Sequence, residues 1–111
     1  MRDVTGTGSF ADLVYDIVRQ VPPGRVTSYG AIARCIGTGK SSRMVGWVMN
    51  RAPADVPAHR VVNRLGVLTG KQAFGHPERM QELLGQEGVQ VVNDAVADFA
   101  RHFWDPLREL T

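Results

Sequence analysis

The sequence predicts a mainly α-helical fold built around a helix-turn-helix, with a small β hairpin beside it. Three observations predict this class. Apolar residues recur at helical spacing after residue 9, two short helical segments meet at a Gly-containing turn, and residues 53–75 mix Pro and Gly with short β-prone pieces. At 111 residues the chain fits one domain, 1–111, with one modest core.

The elements follow in order. Residues 1–8, rich in Gly and Thr, read as a disordered start. Phe10, Leu13, Val14, Ile17, Val18 and Val21 share a helical stripe, with Ser9 placed to cap it and Pro22-Pro23-Gly24 placed to stop it. Ala31, Ile32 and Ile36 mark a second helix, from Ser28 to Cys35, closed by Gly37. Thr38-Gly39-Lys40 makes the turn, and Ser41 or Ser42 caps a third helix that runs to Arg51, ahead of Pro53. Arg60-Val61-Val62 and Val67-Leu68 are the β-prone pieces expected to form the hairpin. Pro77 to Gln86 is helical, with Met80, Leu83 and Leu84 on one stripe and Gly85 or Gly88 as its stop. Val89 to Val92 is strand-like, and the tail from 95 to 111 carries Phe99, Phe103, Trp104 and Leu107, apolar enough to dock.

The net charge of +2 conceals an asymmetry. From Arg25 to Arg64 seven basic residues (Arg25, Arg34, Lys40, Arg43, Arg51, Arg60, Arg64) face one acid, Asp55, whereas from Gln72 onward three basic residues face seven acidic ones. A basic half of this kind is either a polyanion-binding face or a solvated surface. On the third helix Val45, Val48, Met49 and Ala52 form an inward stripe, while Arg43, Gly46, Trp47 and Asn50 fall on the outer side. A capped helix start also offers free N–H groups to phosphates, so this face reads as a DNA contact or as an ordinary surface helix.

At Val56-Pro57-Ala58-His59-Arg60-Val61-Val62 the sequence resembles the DNA-binding half of the O6-alkylguanine-DNA alkyltransferases, whose active-site motif reads Pro-Cys-His-Arg-Val. The resemblance spans Phe10 to Gly88. It takes in Pro22 through Gly30, Arg43-Met44-Val45-Gly46, Leu65-Gly66-Val67-Leu68-Thr69-Gly70, Leu83-Leu84 and Glu87-Gly88. Ala58 stands where that family carries its alkyl-accepting cysteine. Alkyl transfer needs a thiolate activated by an imidazole, and a methyl group is no nucleophile. Cys35, the only cysteine, falls in the second helix with no histidine near it in sequence. The chain is therefore similar to the alkyltransferase-like branch, whose members bind alkylated guanine without repairing it and flag it for nucleotide excision repair.

The resemblance implies a winged helix-turn-helix domain of the alkyltransferase C-terminal type and a non-enzymatic role. It implies that Tyr29 presses on the phosphate beside the lesion and that Arg43 enters through the minor groove to fill the space left by the flipped nucleotide. Ser28, Gly30, Ser41, Ser42, Gly46 and Arg64 match positions along the DNA. Trp47 either packs on the fold or widens the DNA contact, since the family favours a small residue there. The lesion pocket is expected to comprise Tyr29, Pro57, Ala58, His59, Val62, Asn63, Gly70, Lys71 and Gln72, with His59 and Glu87 kept as a structural relay. The segment from Arg43 to Ala58 is shorter than usual, Met44 replaces a common alanine, and Ala52 replaces a common asparagine.

No cofactor and no metal are implied: the three histidines, at 59, 76 and 102, are scattered. The partners implied are duplex DNA carrying O6-alkylguanine and nucleotide excision repair proteins, bound by a monomer. The chain lacks a membrane-length apolar run, and its first residues lack the apolar core of a signal peptide. A lone thiol suits a reducing compartment, so the cytoplasm is the expected location. The alternatives are a winged-helix transcription regulator reading undamaged DNA, an enzyme of another class using His59 and Glu87 as acid and base, and a degenerate domain kept for protein interaction.

Overall fold

A computed structural model describes residues 9–37 and 39–110. The expected disordered start, residues 1–8, lies outside the described residues, as does Thr38 of the turn. Ser9 opens helix α1 (Phe10–Arg19), its hydroxyl accepting from the Asp12 N–H at 3.0 Å. Val14, Ile17 and Val18 are buried, and the chain leaves the helix before Pro22. Gly24 then turns with φ +85°, and a Cβ there would sit 3.3 Å from the Glu87 carbonyl oxygen. Glycine thus lets two distant loops approach.

Strand β1 (Thr27–Ser28) leads directly into α2 (Tyr29–Ile36), whose first turn is capped by Ser28 Oγ accepting from Ala31 N–H at 3.1 Å. Helix α3 (Ser42–Met49) is capped by Ser41, which accepts from Met44 N–H at 3.2 Å. Helices α2 and α3 pack together as the helix-turn-helix, with α1 against α3. The third helix ends at Met49 rather than Arg51, because Asn50 and Arg51 already fold into a turn ahead of Pro53.

The hairpin is not where it was expected. Strand β2 (Val61–Val62) pairs in parallel with β1, Thr27 opposite Val61 and Ser28 opposite Val62. The antiparallel hairpin is instead β3 (Val91–Val92) with β4 (Ala95–Val96), and Val67 bridges to Ala95 at its edge. Asn93 and Asp94 between them have φ of 52° and 63°. Two left-handed residues in succession are what a type I′ turn requires, and Asn and Asp tolerate it best after glycine. Val89, expected in the strand, is buried ahead of it. Helix α4 (Arg79–Gln86) begins after Pro77, and a 3₁₀ turn at Lys71–Phe74 was not foreseen. Gly85 lies within α4, and Gly88 (φ +84°) follows its end.

The described residues gather in two apolar clusters instead of one core. Val14, Ile17, Val18, Ile32, Val45, Met49 and Val61 belong to the first; Val26, Val62, Leu68, Met80, Leu84, Val89 and Val96 belong to the second. Successive strand residues point to opposite faces, so Val61 and Val62 each anchor one cluster. The tail, with α5 (Phe99–His102) and α6 (Pro106–Glu109), is tied to the strand entrance. Trp104 N–H donates to the Val26 carbonyl at 2.7 Å, and Arg25 donates to the carbonyls of His102 (3.0 Å) and Phe103 (2.7 Å). Among the described residues no helix is long and apolar enough to cross a membrane.

Candidate functional site

The short 3₁₀ turn at Ala58–Arg60 delivers three consecutive side chains to three different tasks. Ala58 borders a cleft of about 490 Å³, between the end of α3, the 52–58 loop, Tyr29, Gly70 and the start of α4. His59, 9% exposed, also lines the cleft, and its Nε2 lies 2.8 Å from Glu87 Oε2. Arg60 turns inward. Its Nη2 and Nε donate to the Glu87 carboxylate at 2.7 and 3.1 Å, and its Nη1 donates to the Val21 carbonyl at 2.8 Å. The Gly24 N–H donates to the same carboxylate at 3.3 Å. Burial alone would raise the Glu87 carboxyl, but the donors from Arg60, His59 and Gly24 outweigh it and lower its pKa from 4.5 to about 2. Glu87 therefore fixes the floor of the cleft through His59 and Arg60, and joins it to the α1–β1 loop.

Tyr29 heads α2 directly after the Ser28 cap, so the helix start sets its direction. Its hydroxyl is close to the 69–70 turn: a Cβ on Gly70 would lie 2.8 Å from Tyr29 Oη, a contact that only glycine leaves open. Burial pushes the tyrosine pKa up, against a smaller opposing effect of Thr69.

A second, shallower groove of about 320 Å³ runs beside α3 and is lined by Tyr29, Ser42, Arg43, Gly46, Trp47, Asn50, Thr69 and Gly70. Tyr29, Asn50 and Gly70 line both hollows, so the outer face of α3 opens directly onto the cleft. Arg43 is exposed, with Trp47 one turn on at 63% exposure. Of the seven basic residues in this half, Arg25 and Arg60 are committed to internal bonds, whereas Arg34, Lys40, Arg43, Arg51 and Arg64 are exposed.

The structure brings together Tyr29, Pro57, Ala58, His59 and Gly70 at the cleft, and Ser42, Arg43, Gly46 and Trp47 beside it. Four residues expected in the pocket lie outside its lining. Val62 is wholly buried in the second cluster, because strand alternation turns it away from Val61. Asn63 Oδ1 accepts from the N–H groups of Leu65 (2.9 Å) and Val67 (2.8 Å), which holds its own turn. Lys71 Nζ is drawn 2.8 Å from Asp94 Oδ2 on the hairpin, and Gln72 is exposed on the 3₁₀ turn. Ser28 is 5% exposed with its hydroxyl in the α2 cap, Ser41 is spent on the α3 cap, Gly30 is half-buried in α2, and Arg64 lies in a loop outside both hollows. Asn50, Phe74, Arg79 and Leu83 complete the cleft wall and were not foreseen. The helical stripe of Met80, Leu83 and Leu84 was a usable signal for one of them, read only as core.

Among the described residues, those lining the cleft include no cysteine, serine, threonine or lysine. Cys35 lies in α2 outside this lining, its thiol pKa raised by burial and less by Asp105. Among the described residues no group of three or more His, Cys, Asp and Glu side chains is placed to hold a metal ion.

Residues 9–89 match the family model of the 6-O-methylguanine DNA methyltransferase DNA-binding domain. The DNA base-flipping protein of Escherichia coli is 39% identical over 101 residues, covering 87% of this chain and 75% of that protein. Alkyltransferase-like protein 1 of Schizosaccharomyces pombe is 31% identical over 103 residues, covering 87% and 95%. A crystal structure of S. pombe Atl1 with damaged DNA containing O6-carboxymethylguanine superposes with TM-score 0.73 at 31% identity, covering 86% of this chain and 94% of that one. The O6-methylguanine methyltransferase of Mycobacterium tuberculosis superposes with TM-score 0.62 at 34% identity, this chain spanning 54% of it. The chain belongs to the family of the 6-O-methylguanine DNA methyltransferase DNA-binding domain.

Proposed function

We propose that this protein binds O6-alkylguanine in duplex DNA, turns the modified nucleotide into the 490 Å³ cleft, and transfers nothing. The observation that carries this reading is Ala58. It lines the cleft next to His59, whose bond to Glu87 is intact, yet the cleft wall holds no thiol. Helix α3 docks over the minor groove through Arg43, Gly46 and Trp47. Ser41 and Ser42 at its start and Arg64 in its loop lie near phosphates, while Ser28 and Gly30 act by setting the start of α2.

Flipping a base costs a few kcal/mol of unstacking, least for one that already pairs badly. O6-alkylation removes the N1 proton of guanine and weakens its pairing with cytosine, which gives part of the selectivity. Arg43 offsets the rest by filling the space in the stack, and Tyr29 presses on the flanking phosphate. Alanine in place of a reactive side chain widens the cleft floor, so larger O6 groups fit as well as methyl. Bound protein then serves as the flag that nucleotide excision repair reads. Retention of Tyr29 and Arg43 on one continuous surface favours this reading over a regulator of undamaged DNA.

The test is an anisotropy titration of two duplexes identical except for one guanine or O6-methylguanine, followed by intact mass measurement of the protein. Preferential binding of the modified duplex with no mass gain is expected. Equal binding of both duplexes would return the chain to general DNA binding, and a methyl adduct on the protein would make it an enzyme. Ala58→Cys is the complementary variant. It places a thiol beside the retained His59–Glu87 pair and is expected to gain slow methyl uptake, visible as added mass on a peptide containing residue 58.

A further inference from the structure

We infer that Trp47 is a second wedge, stacking in the minor groove at a base step next to the one that Arg43 fills; this rests on the lesion-binding reading above. Trp47 leaves 63% of its surface in water at the centre of the outer face of α3. Aromatic side chains of this size are usually paid for by burial, and a free indole is a contact awaiting a partner. The chemistry of that partner is set by its neighbours. Trp47 shares a groove with Arg43, Tyr29 and Asn50, and no acid occurs between Gly39 and Ala54. On its other side Trp47 borders a more apolar groove with Phe10, Tyr15, Met44, Val48 and Arg51. A polyanion with flat apolar faces fits both sides, whereas an apolar protein segment does not account for the cations.

Geometry sharpens the assignment. An α-helix is about 10–12 Å across, whereas the minor groove of B-DNA is about 6 Å wide, so α3 rides above the groove and only its side chains enter. Gly46 has no reach. Arg43 and Trp47 have comparable reach and stand four residues apart, roughly 6 Å along the helix axis and so within two base steps of roughly 3.4 Å. An indole at this place either holds the helix off the DNA or inserts. With Arg43 committed to the stack, insertion is the arrangement that satisfies both. Side chains inserted at adjacent steps open and bend a duplex, which lowers the cost of extruding the nucleotide between them.

The test uses the protein's own fluorescence. Of its two tryptophans, Trp104 is buried at 6% exposure, so Trp47 is the one that DNA can quench. Saturation of the full chain with O6-methylguanine duplex is expected to quench the parent strongly. Trp47→Phe, which keeps only Trp104, is expected to show no comparable loss. In anisotropy titrations Trp47→Ala is expected to bind the modified duplex roughly tenfold more weakly, the loss of one stacked aromatic, while Trp47→Phe retains most of the affinity. Both variants change an exposed position and should fold as the parent does. Unchanged emission at saturation, or Trp47→Ala binding as tightly as the parent or tighter, would overturn the wedge and make Trp47 a spacer. Failure of the parent to prefer the modified duplex overturns the lesion-binding reading instead, and quenching by unmodified duplex then decides the role of Trp47 alone.

Discussion

The cleft floor and the outer face of α3 adjoin, yet they are built on opposite rules. At the floor the charged groups are paired. Glu87 accepts from Arg60, His59 and the Gly24 N–H, and Arg60 spends its remaining reach on the Val21 carbonyl. On the α3 face Arg43 and Trp47 are exposed. The floor is a closed hydrogen-bonded network, whereas the face presents exposed side chains. The network serves shape: through His59 and Arg60 it holds the 58–60 turn against Glu87 and the Gly24 loop.

Breaking the floor gives the largest expected effect. Glu87→Ala strands a guanidinium that is 14% exposed and an imidazole at 11%, and is expected to cost ~3 kcal/mol in urea denaturation. A loss under ~0.5 kcal/mol would mean that the network is ornamental to the fold. Acid probes the same carboxylate. Its folded pKa of about 2 lies below the ordinary 4.5, so its stabilisation is complete above pH 4.5 and disappears as pH falls toward 2, a change of the same ~3 kcal/mol order. Glu87→Gln should flatten that acid limb, and an acid limb unchanged by the substitution would assign it to other carboxylates.

Breaking the face should leave stability alone. Arg43→Ala is expected to weaken binding of O6-methylguanine duplex by ten- to a hundredfold, roughly 1.4–2.7 kcal/mol, with a urea midpoint near that of the parent. If it destabilised the fold instead, the two regions would not be separable. Gly70→Ala sits on the border between them. The added methyl would meet Tyr29 Oη at 2.8 Å, so the tyrosine must shift, and a severalfold loss of lesion affinity with a small stability change is expected. The smallest effect is in salt: Arg64→Ala, at a position proposed to lie near a phosphate, should lower the slope of log K against log salt by about 1 without changing lesion preference.

The two regions were also unequally legible. The α3 face could be read from local pattern alone, because capping serines and helical spacing are short-range signals, and Arg43, Gly46 and Trp47 fall on one side of a helix over 42–49, with Asn50 following at its end. The floor was legible only in part. His59 and Glu87 were paired by resemblance, and the structure places them in contact. Of Val62, Asn63, Gly70, Lys71 and Gln72, the expected remainder of the pocket, only Gly70 lines the cleft, whose wall is completed by Asn50, Phe74, Arg79 and Leu83. The missing fact was non-local. Parallel pairing of Thr27–Ser28 with Val61–Val62 sets which valine faces the cleft, and no short-range pattern announces a partner so far along the chain. The misplaced hairpin is a different failure, since Asn93-Asp94 between two pairs of apolar residues was a readable turn.

In the proposed complex the modified nucleotide leaves the stack and enters the cleft without reacting. The decisive measurement places 2-aminopurine beside O6-methylguanine in a duplex and follows its emission as protein is added to saturation. A several-fold rise with the parent, small with unmodified guanine at the same site and small with Arg43→Ala at saturating protein, is the result expected. Full binding of the modified duplex with no rise in emission would mean that the lesion is recognised inside an intact stack and that no nucleotide enters the cleft.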